Sequence, residues 1–349
     1  MGRVSARVPV TALTGHLGAG KTTLLNRLLQ RPGARIGVIV NDFGDINVDA
    51  GLVTGQVDEP ASIAGGCLCC LEDVSGLDAA LDKLSQPRLA LDAIVVEASG
   101  LAEPGALAQM IAASPVARVR PGGVIDVIDT VEYFATLDDG GMPPARFAVA
   151  TLVVLNKCDL LPEAEREATL AAIEARVREV NPTVHVVRTS GARIDPALVH
   201  DVAMSEDPPD QLPLGALLRA ERAQDHQENE HDHEHGHAAS ASYRVEGPVD
   251  PGRVVDLLED PPVAAYRMKG TLAIATEPGR TKGYVVNVVG RQLHVAALPT
   301  PPDGGELVAI GMGLDAAAAR ARLAAALVPA TEPDPDGRRR LERLRRLSG

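Results

Sequence analysis

The chain has 349 residues, enough for one large domain or two, with 45% hydrophobic but only 2% aromatic residues and no tryptophan, so its core must be aliphatic. A formal net charge of −13 excludes a general nucleic-acid binder, which needs a basic footprint. No N-terminal stretch has the order of a secretory signal and no apolar run approaches the roughly 20 residues of a membrane span, so a cytoplasmic protein is expected, with no membrane partner.

The first predicted element is a buried strand, Val8 to Leu13, followed by Gly15-His16-Leu17-Gly18-Ala19-Gly20-Lys21-Thr22. This fits the phosphate-loop pattern G-x-x-x-x-G-K-[ST]. Leu24, Leu25, Leu28 and Leu29 then recur at helical spacing. Strand, glycine turn and helix start together suit phosphate binding. The glycines let backbone N–H groups converge on one anion, and the helix N-terminus adds positive partial charge. Gly15, Gly18, Ala19, Gly20, Lys21, Thr22 and Thr23 are therefore candidate nucleotide contacts. Lys21 can reach the β- and γ-phosphates, and the Thr22 hydroxyl can ligate Mg²⁺.

Ile36 to Val40 predicts a second strand. Asn41 to Val53 and Gly65 to Cys70 are too irregular for one element, and a nucleotide-responsive switch would lie here. A short helix is expected over 77–84. Leu91 to Glu97 reads as a third strand running into Glu97-Ala98-Ser99-Gly100. An acid at the end of an apolar strand, three before a glycine, is a Walker-B position. Glu97 can hold Mg²⁺ through water, and Gly100 lets the backbone approach the γ-phosphate. Pro104 suits a helix first turn.

Gly123 to Ile128 and Leu152 to Leu155 predict two more strands, the second leading into Asn156-Lys157-Cys158-Asp159. The Asp159 carboxylate can accept both donors of the guanine N1–H and N2–H₂ edge. Adenine would leave it unpaired. Asn156 and Lys157 can brace the loop and cover the base. Glu163 to Val180 is an amphipathic helix and Val184 to Val187 a sixth strand; Thr189 to Ala192 follow, where a backbone N–H could touch guanine O6.

Strands alternating with helices, with motifs at strand C-termini, predict an α/β fold with a mostly parallel sheet over residues 1–204. Residues 205–241 read as a polar, histidine-rich linker. A smaller α+β domain is expected over 242–327, with strands at 271–276, 284–289 and 292–297, a hairpin turn at Gly290-Arg291 and a helix at 316–327. The tail, 328–349, with six arginines and one glutamate from Gly337 on, reads as a solvated, frayed helix.

Three of the four cysteines cluster at Cys67, Cys69 and Cys70. In a cytosolic chain this points to metal or redox work rather than disulfides. Thiolates favour Zn²⁺ or Cu⁺, and Zn²⁺ wants a fourth ligand, which Asp42 or Asp45 could supply. Asp225 to His237 holds five of the nine histidines, and His231, His233, His235 and His237 form a weak candidate metal site.

With those four motifs in place, the chain resembles the CobW-type P-loop GTPases of the SIMIBI class. The resemblance extends to Asn41–Asp49, to Glu97-Ala98-Ser99-Gly100-Leu101-Ala102-Glu103-Pro104, and to Arg267-Met268-Lys269-Gly270 in the second domain. It implies GTP hydrolysis with Lys21, Thr22 and Glu97 as catalytic residues, GTP and Mg²⁺ as cofactors, and Zn²⁺ or Co²⁺ as cargo for a client metalloprotein or metal-cofactor enzyme. Leu101 follows Gly100, so no glutamine orients the water there, and a partner or homodimer could complete the site. The rival readings are a non-enzymatic metal buffer or sensor with a structural nucleotide site, an activator of a metalloenzyme such as nitrile hydratase, and a small-molecule kinase. Two departures stand out. Asp42 takes the place of a glutamate implicated in metal binding in the family. Arg146 to Thr151 replace a Gln-Ile-x-x-Ala-Asp pattern.

Overall fold

The computed structural model describes residues 7–30, 35–40, 61–62, 74–98, 103–138, 140–199, 238–277, 280–330 and 334–348. The first sheet is built from β1 (Val8–Gly15), β2 (Ile36–Val40), β3 (Ala61–Ser62), β4 (Ala93–Glu97), β5 (Val119–Asp129), β6 (Leu152–Asn156) and β7 (His185–Arg188). Their order is β3-β2-β4-β1-β5-β6-β7, and every pairing is parallel. Such a sheet is buried on both faces, which explains the unbroken apolar runs in its strands. Val10 and Ala12 join one core cluster with α2 (Val74–Leu84) and α3 (Pro104–Ala113). Leu13 joins another with the leucines of α1 (Lys21–Leu29). Reversal of strand order at β1 opens a crevice at the carboxyl ends of β1, β4 and β5, where ligands bind in such sheets.

Beyond β5 come α4 (Tyr133–Thr136) and, after β6, α5 (Glu163–Val180), whose Leu170, Ile173 and Val177 are buried as the periodicity predicts. A polar clamp ties these two helices. The Arg176 guanidinium forks onto Asp138 (2.7 and 2.9 Å), and the Tyr133 hydroxyl donates to the same carboxylate (2.9 Å). The Arg176 bonds hold the Asp138 carboxyl down at about 2. A depressed carboxylate stabilises the fold fully above its unfolded value of 3.8 and loses that contribution as pH falls toward 2. Asp138→Asn should therefore lower stability at neutral pH and flatten the loss between pH 4 and 2. Urea unfolding at stepped pH checks this, and an unchanged acid slope would contradict it.

The second sheet is antiparallel, ordered β11-β10-β9-β12-β8, from β8 (Ala239–Glu246), β9 (Arg267–Glu277), β10 (Arg280–Val289), β11 (Gln292–Leu298) and β12 (Gly304–Gly311). The hairpin at Gly290-Arg291 falls where expected. Strand β8 begins at Ala239, two residues before the expected end of the linker at Ala241, and β8, β12 and α6 (Pro251–Glu259) carried no sequence expectation. Alternate residues such as Met268, Leu272, Ile274, Tyr284 and Val286 bury one face of the sheet under α6 and α7 (Ala316–Ala326).

The arginine-rich tail is not solvated and frayed. It forms α8 (Pro335–Leu347), capped by the Asp334 carboxylate on the Asp336 and Gly337 N–H groups. Leu341 is fully buried, and Leu344 packs on the same core. The Glu342 carboxylate accepts the Tyr284 hydroxyl (2.7 Å), and Arg340 pairs with Asp256 and Glu259 on α6. The dense arginines hid two leucines three residues apart, which is one helical face.

The two sheets meet across a buried seam. Tyr266 and Val289 belong to the same core cluster as Leu13 and Val154. The Tyr266 hydroxyl lies 3.1 Å from Thr151 Oγ1, and Arg267 Nη1 donates to the Val199 carbonyl (2.8 Å). No helix among the described residues is long and apolar enough to cross a membrane.

Candidate functional site

The predicted nucleotide residues that are described lie at or follow the carboxyl ends of β1, β4, β6 and β7. At the end of β1 the chain turns through Gly15, Gly18 and Gly20, all at positive φ (149°, 79° and 103°). Two of these glycines are required by close approach. A Cβ on Gly15 would collide with the Val127 carbonyl, and one on Gly20 with the Asn156 side-chain amide. Gly20 is also the N-cap of α1, without a side-chain cap, so the first N–H groups of that helix face the loop. Ala19 is fully buried, and Thr23 lies in the first turn of α1.

Lys21 is buried, its ammonium donating to the carbonyls of Gly15 (3.0 Å) and His16 (3.2 Å). Glu97 stands opposite Leu13 in the parallel register of β1 and β4, which brings its carboxylate to the start of α1. There the Thr22 hydroxyl donates to Glu97 Oε1 at 2.7 Å, and Glu97 is buried. A hydroxyl and a buried carboxylate beside a phosphate-binding loop form a set of hard oxygen donors, which fits Mg²⁺.

On the other flank, Asn156 ties two loops together. Its amide donates to the Ala19 carbonyl (2.8 Å), and its Oδ1 accepts the Ala192 N–H (2.7 Å). The Ala192 N–H, one of the candidates for guanine O6, is thus engaged by Asn156. Lys157 has φ +64° and ends in a 2.6 Å ion pair with Asp129. Asp159 follows in a one-turn 3₁₀ helix, its side chain exposed.

Sequence reasoning missed a second buried network. Asp126, fully buried in β5, accepts a fork from Arg146 (2.6 and 2.8 Å) and the Thr14 hydroxyl (2.8 Å). Arg146, at one of the departures from the family pattern, thereby pins the residue just before Gly15. Thr151, at the other end of that segment, binds the Val124 backbone and faces Tyr266. An aspartate inside the apolar run Val124–Ile128 was the available signal, since a buried carboxylate demands a cation.

The metal candidates Cys67, Cys69, Cys70, Asp42, Asp45, His231, His233, His235 and His237, and the nucleotide candidate Gly100, lie outside the described residues. Among the described residues no group of three or more His, Cys, Asp or Glu side chains is placed to hold a metal ion. The fourth cysteine, Cys158, is buried, and burial raises its thiol pKa.

Residues 9–188 match the family model for the CobW/HypB/UreG nucleotide-binding domain. The chain belongs to the CobW/HypB/UreG family. Residues 238–327 match the C-terminal domain of the cobalamin synthesis protein cobW. Similar proteins include the zinc chaperone YjiA of Escherichia coli, 35% identical over 176 residues that cover 48% of this chain and 55% of that one. The zinc-regulated GTPase metalloprotein activator 1 of Schizosaccharomyces pombe is 32% identical over 198 residues (54% and 47%), and the zinc chaperone CobW of a Sinorhizobium is 30% identical over 203 (49% and 56%). The chain thus spans about half the length of the curated relatives it matches. The crystal structure of Zn(II)-bound YjiA GTPase from E. coli aligns with 91% of this CobW-family chain and 98% of its own, at 26% identity and a TM-score of 0.41.

Proposed function

We propose that this chain is a GTP-hydrolysing metallochaperone that delivers zinc, with cobalt as the alternative cargo, to a client protein. The observation that carries the nucleotide half is the 2.7 Å bond from Thr22 to Glu97, which joins the phosphate loop to the β4 carboxylate. The zinc half is supported by relatives named as zinc chaperones and by the thiolates of Cys67, Cys69 and Cys70.

In this reading the glycine loop and the start of α1 bind the phosphates. Lys21 places a positive charge where the γ-phosphate gains charge during transfer. Thr22 and Glu97 would hold Mg²⁺, which when bound neutralises phosphate charge. Asp159 reads the guanine edge, and Asn156 keeps the base-reading and phosphate-binding loops in register. Cargo bound at the cysteines and Asp42, between the two nucleotide motifs in sequence, would feel the nucleotide state. By linkage the nucleotide would feel the cargo equally. Isothermal titration of Zn²⁺ and Co²⁺, with and without a non-hydrolysable GTP analogue, tests this. The expected result is a change of at least about fivefold in zinc affinity, the lower end of ordinary coupling. Equal affinities in both states would overturn the coupling.

A further inference from the structure

We infer that the β5 turn, Asp129-Thr130, is a specificity-determining element that sets how well the site distinguishes guanine from other bases. The inference rests on the guanine-reading role proposed for Asp159. Strand β5 runs one residue past its expected end, and the parallel register then sets Asp129 opposite Asn156. From there the turn grips the base-reading loop twice. Thr130 donates both its N–H (3.1 Å) and its hydroxyl (2.8 Å) to the Asn156 carbonyl. Asp129 Oδ2 accepts the Lys157 ammonium at 2.6 Å, while its Oδ1 accepts the Val131 N–H at 3.1 Å.

The grip falls where the loop needs it. Lys157 sits in the left-handed region, which a lysine adopts at a cost, and that reversal aims the next turn, with Asp159, outward from the sheet. The far side of the loop is tied by the Cys158 N–H to the Thr189 carbonyl (3.2 Å) and by Asn156 to Ala192. Asp129 therefore fixes the near side. It anchors the ammonium end of the Lys157 stem, whose methylenes would cover a bound base, and would so fix the angle at which the Asp159 carboxylate meets the N1–H and N2–H₂ donors. The Asp129 side chain is 12% exposed and that of Lys157 31%, so the pair is only partly screened by solvent.

Asp129 is thus a positioning residue, and its signature is discrimination rather than general affinity. The test is binding of GDP, IDP, XDP and ADP to the full chain and to Asp129→Asn, Thr130→Val and Asp159→Asn, by competition with a fluorescent nucleotide. Asp129→Asn keeps an oxygen for the Val131 N–H but loses the charge facing Lys157. GDP should weaken about tenfold, as expected for one charge-assisted hydrogen bond. The preference for GDP over IDP, which lacks the 2-amino donor, should shrink. Unchanged GDP and IDP affinities, or an equal loss for all four nucleotides, would overturn the inference. Should Asp129→Asn not fold, Thr130→Val decides by the same ratio. Asp159→Asn separates the two layers. A turn of preference toward XDP upholds guanine reading, whatever Asp129 does, whereas no such turn removes the reading and this inference with it.

Discussion

Gly20→Val should lower guanine-nucleotide affinity by about a hundredfold or more while leaving the chain folded, because two separate penalties fall on one residue. The first is conformational. Gly20 has φ +103°, where a β-branched residue is strongly disfavoured. The second is steric and reaches further. A Cβ at Gly20 meets the Asn156 amide, the group that holds the Ala19 carbonyl on one side and the Ala192 N–H on the other. Asn156 must yield, and with it the registry between the phosphate loop and the loops at Asn156–Asp159 and Ala192. The unbound loop relaxes away from this geometry, so binding must restore strain of about 1–3 kcal/mol together with one or two displaced hydrogen bonds of about 1 kcal/mol each, which gives roughly two orders of magnitude in affinity. Titration with a fluorescent GDP analogue, alongside circular dichroism and thermal unfolding, checks it. A variant that keeps wild-type affinity would show that Asn156 does not couple the two loops.

Thr22→Val should cut GTP turnover about a hundredfold and remove the dependence of nucleotide affinity on Mg²⁺, whereas Thr22→Ser should retain both. Valine has nearly the shape of threonine, so packing at the start of α1 is preserved, and what disappears is the hydroxyl 2.7 Å from Glu97. Loss of one preorganised polar contact that acts on transition-state charge typically costs 10²–10³ in rate, about 2.7–4 kcal/mol. The measurement is single-turnover phosphate release with Mg²⁺ varied, together with GDP affinity with and without the ion. If Thr22→Val turned over GTP at the parental rate, the hydroxyl would have no part in the chemistry. If valine and serine failed alike, the defect would lie in local structure rather than in the lost oxygen.

The candidate nucleotide residues could be named from sequence because the chemistry proposed for them is carried by contiguous residues. A phosphate loop needs glycines, a lysine and a hydroxyl at fixed spacing, so Gly15 to Thr22 declare themselves in one line of sequence. The same holds for Glu97 and for Asn156 to Asp159, each at the end of an apolar strand. Residues that work only through partners distant in the chain were not legible. Asp129 and Lys157 are 28 positions apart, Asp126 and Arg146 are 20, and Thr151 and Tyr266 are 115. No local period links them: Asp129 and Lys157 meet because β5 and β6 lie side by side, Arg146 reaches Asp126 from a 3₁₀ turn, and Thr151 meets Tyr266 where the two sheets touch.

The tail teaches the same lesson about periodicity. Composition made it look solvated, yet Leu341 and Leu344 fall on one face of a helix that another domain surface was waiting to cover. Local sequence alone determined the main strands of the first sheet, the glycine loop before α1, and the acid and Asn156–Asp159 turns at strand ends, since these depend on backbone freedom and short-range spacing, whereas β8, β12 and α6 carried no such signal. Tertiary structure alone decided which carboxylate meets which cation, how Asn156 bridges two loops, and where the arginine-rich helix docks. Those pairings are set by strand register and by burial, and both exist only once distant segments have been brought together.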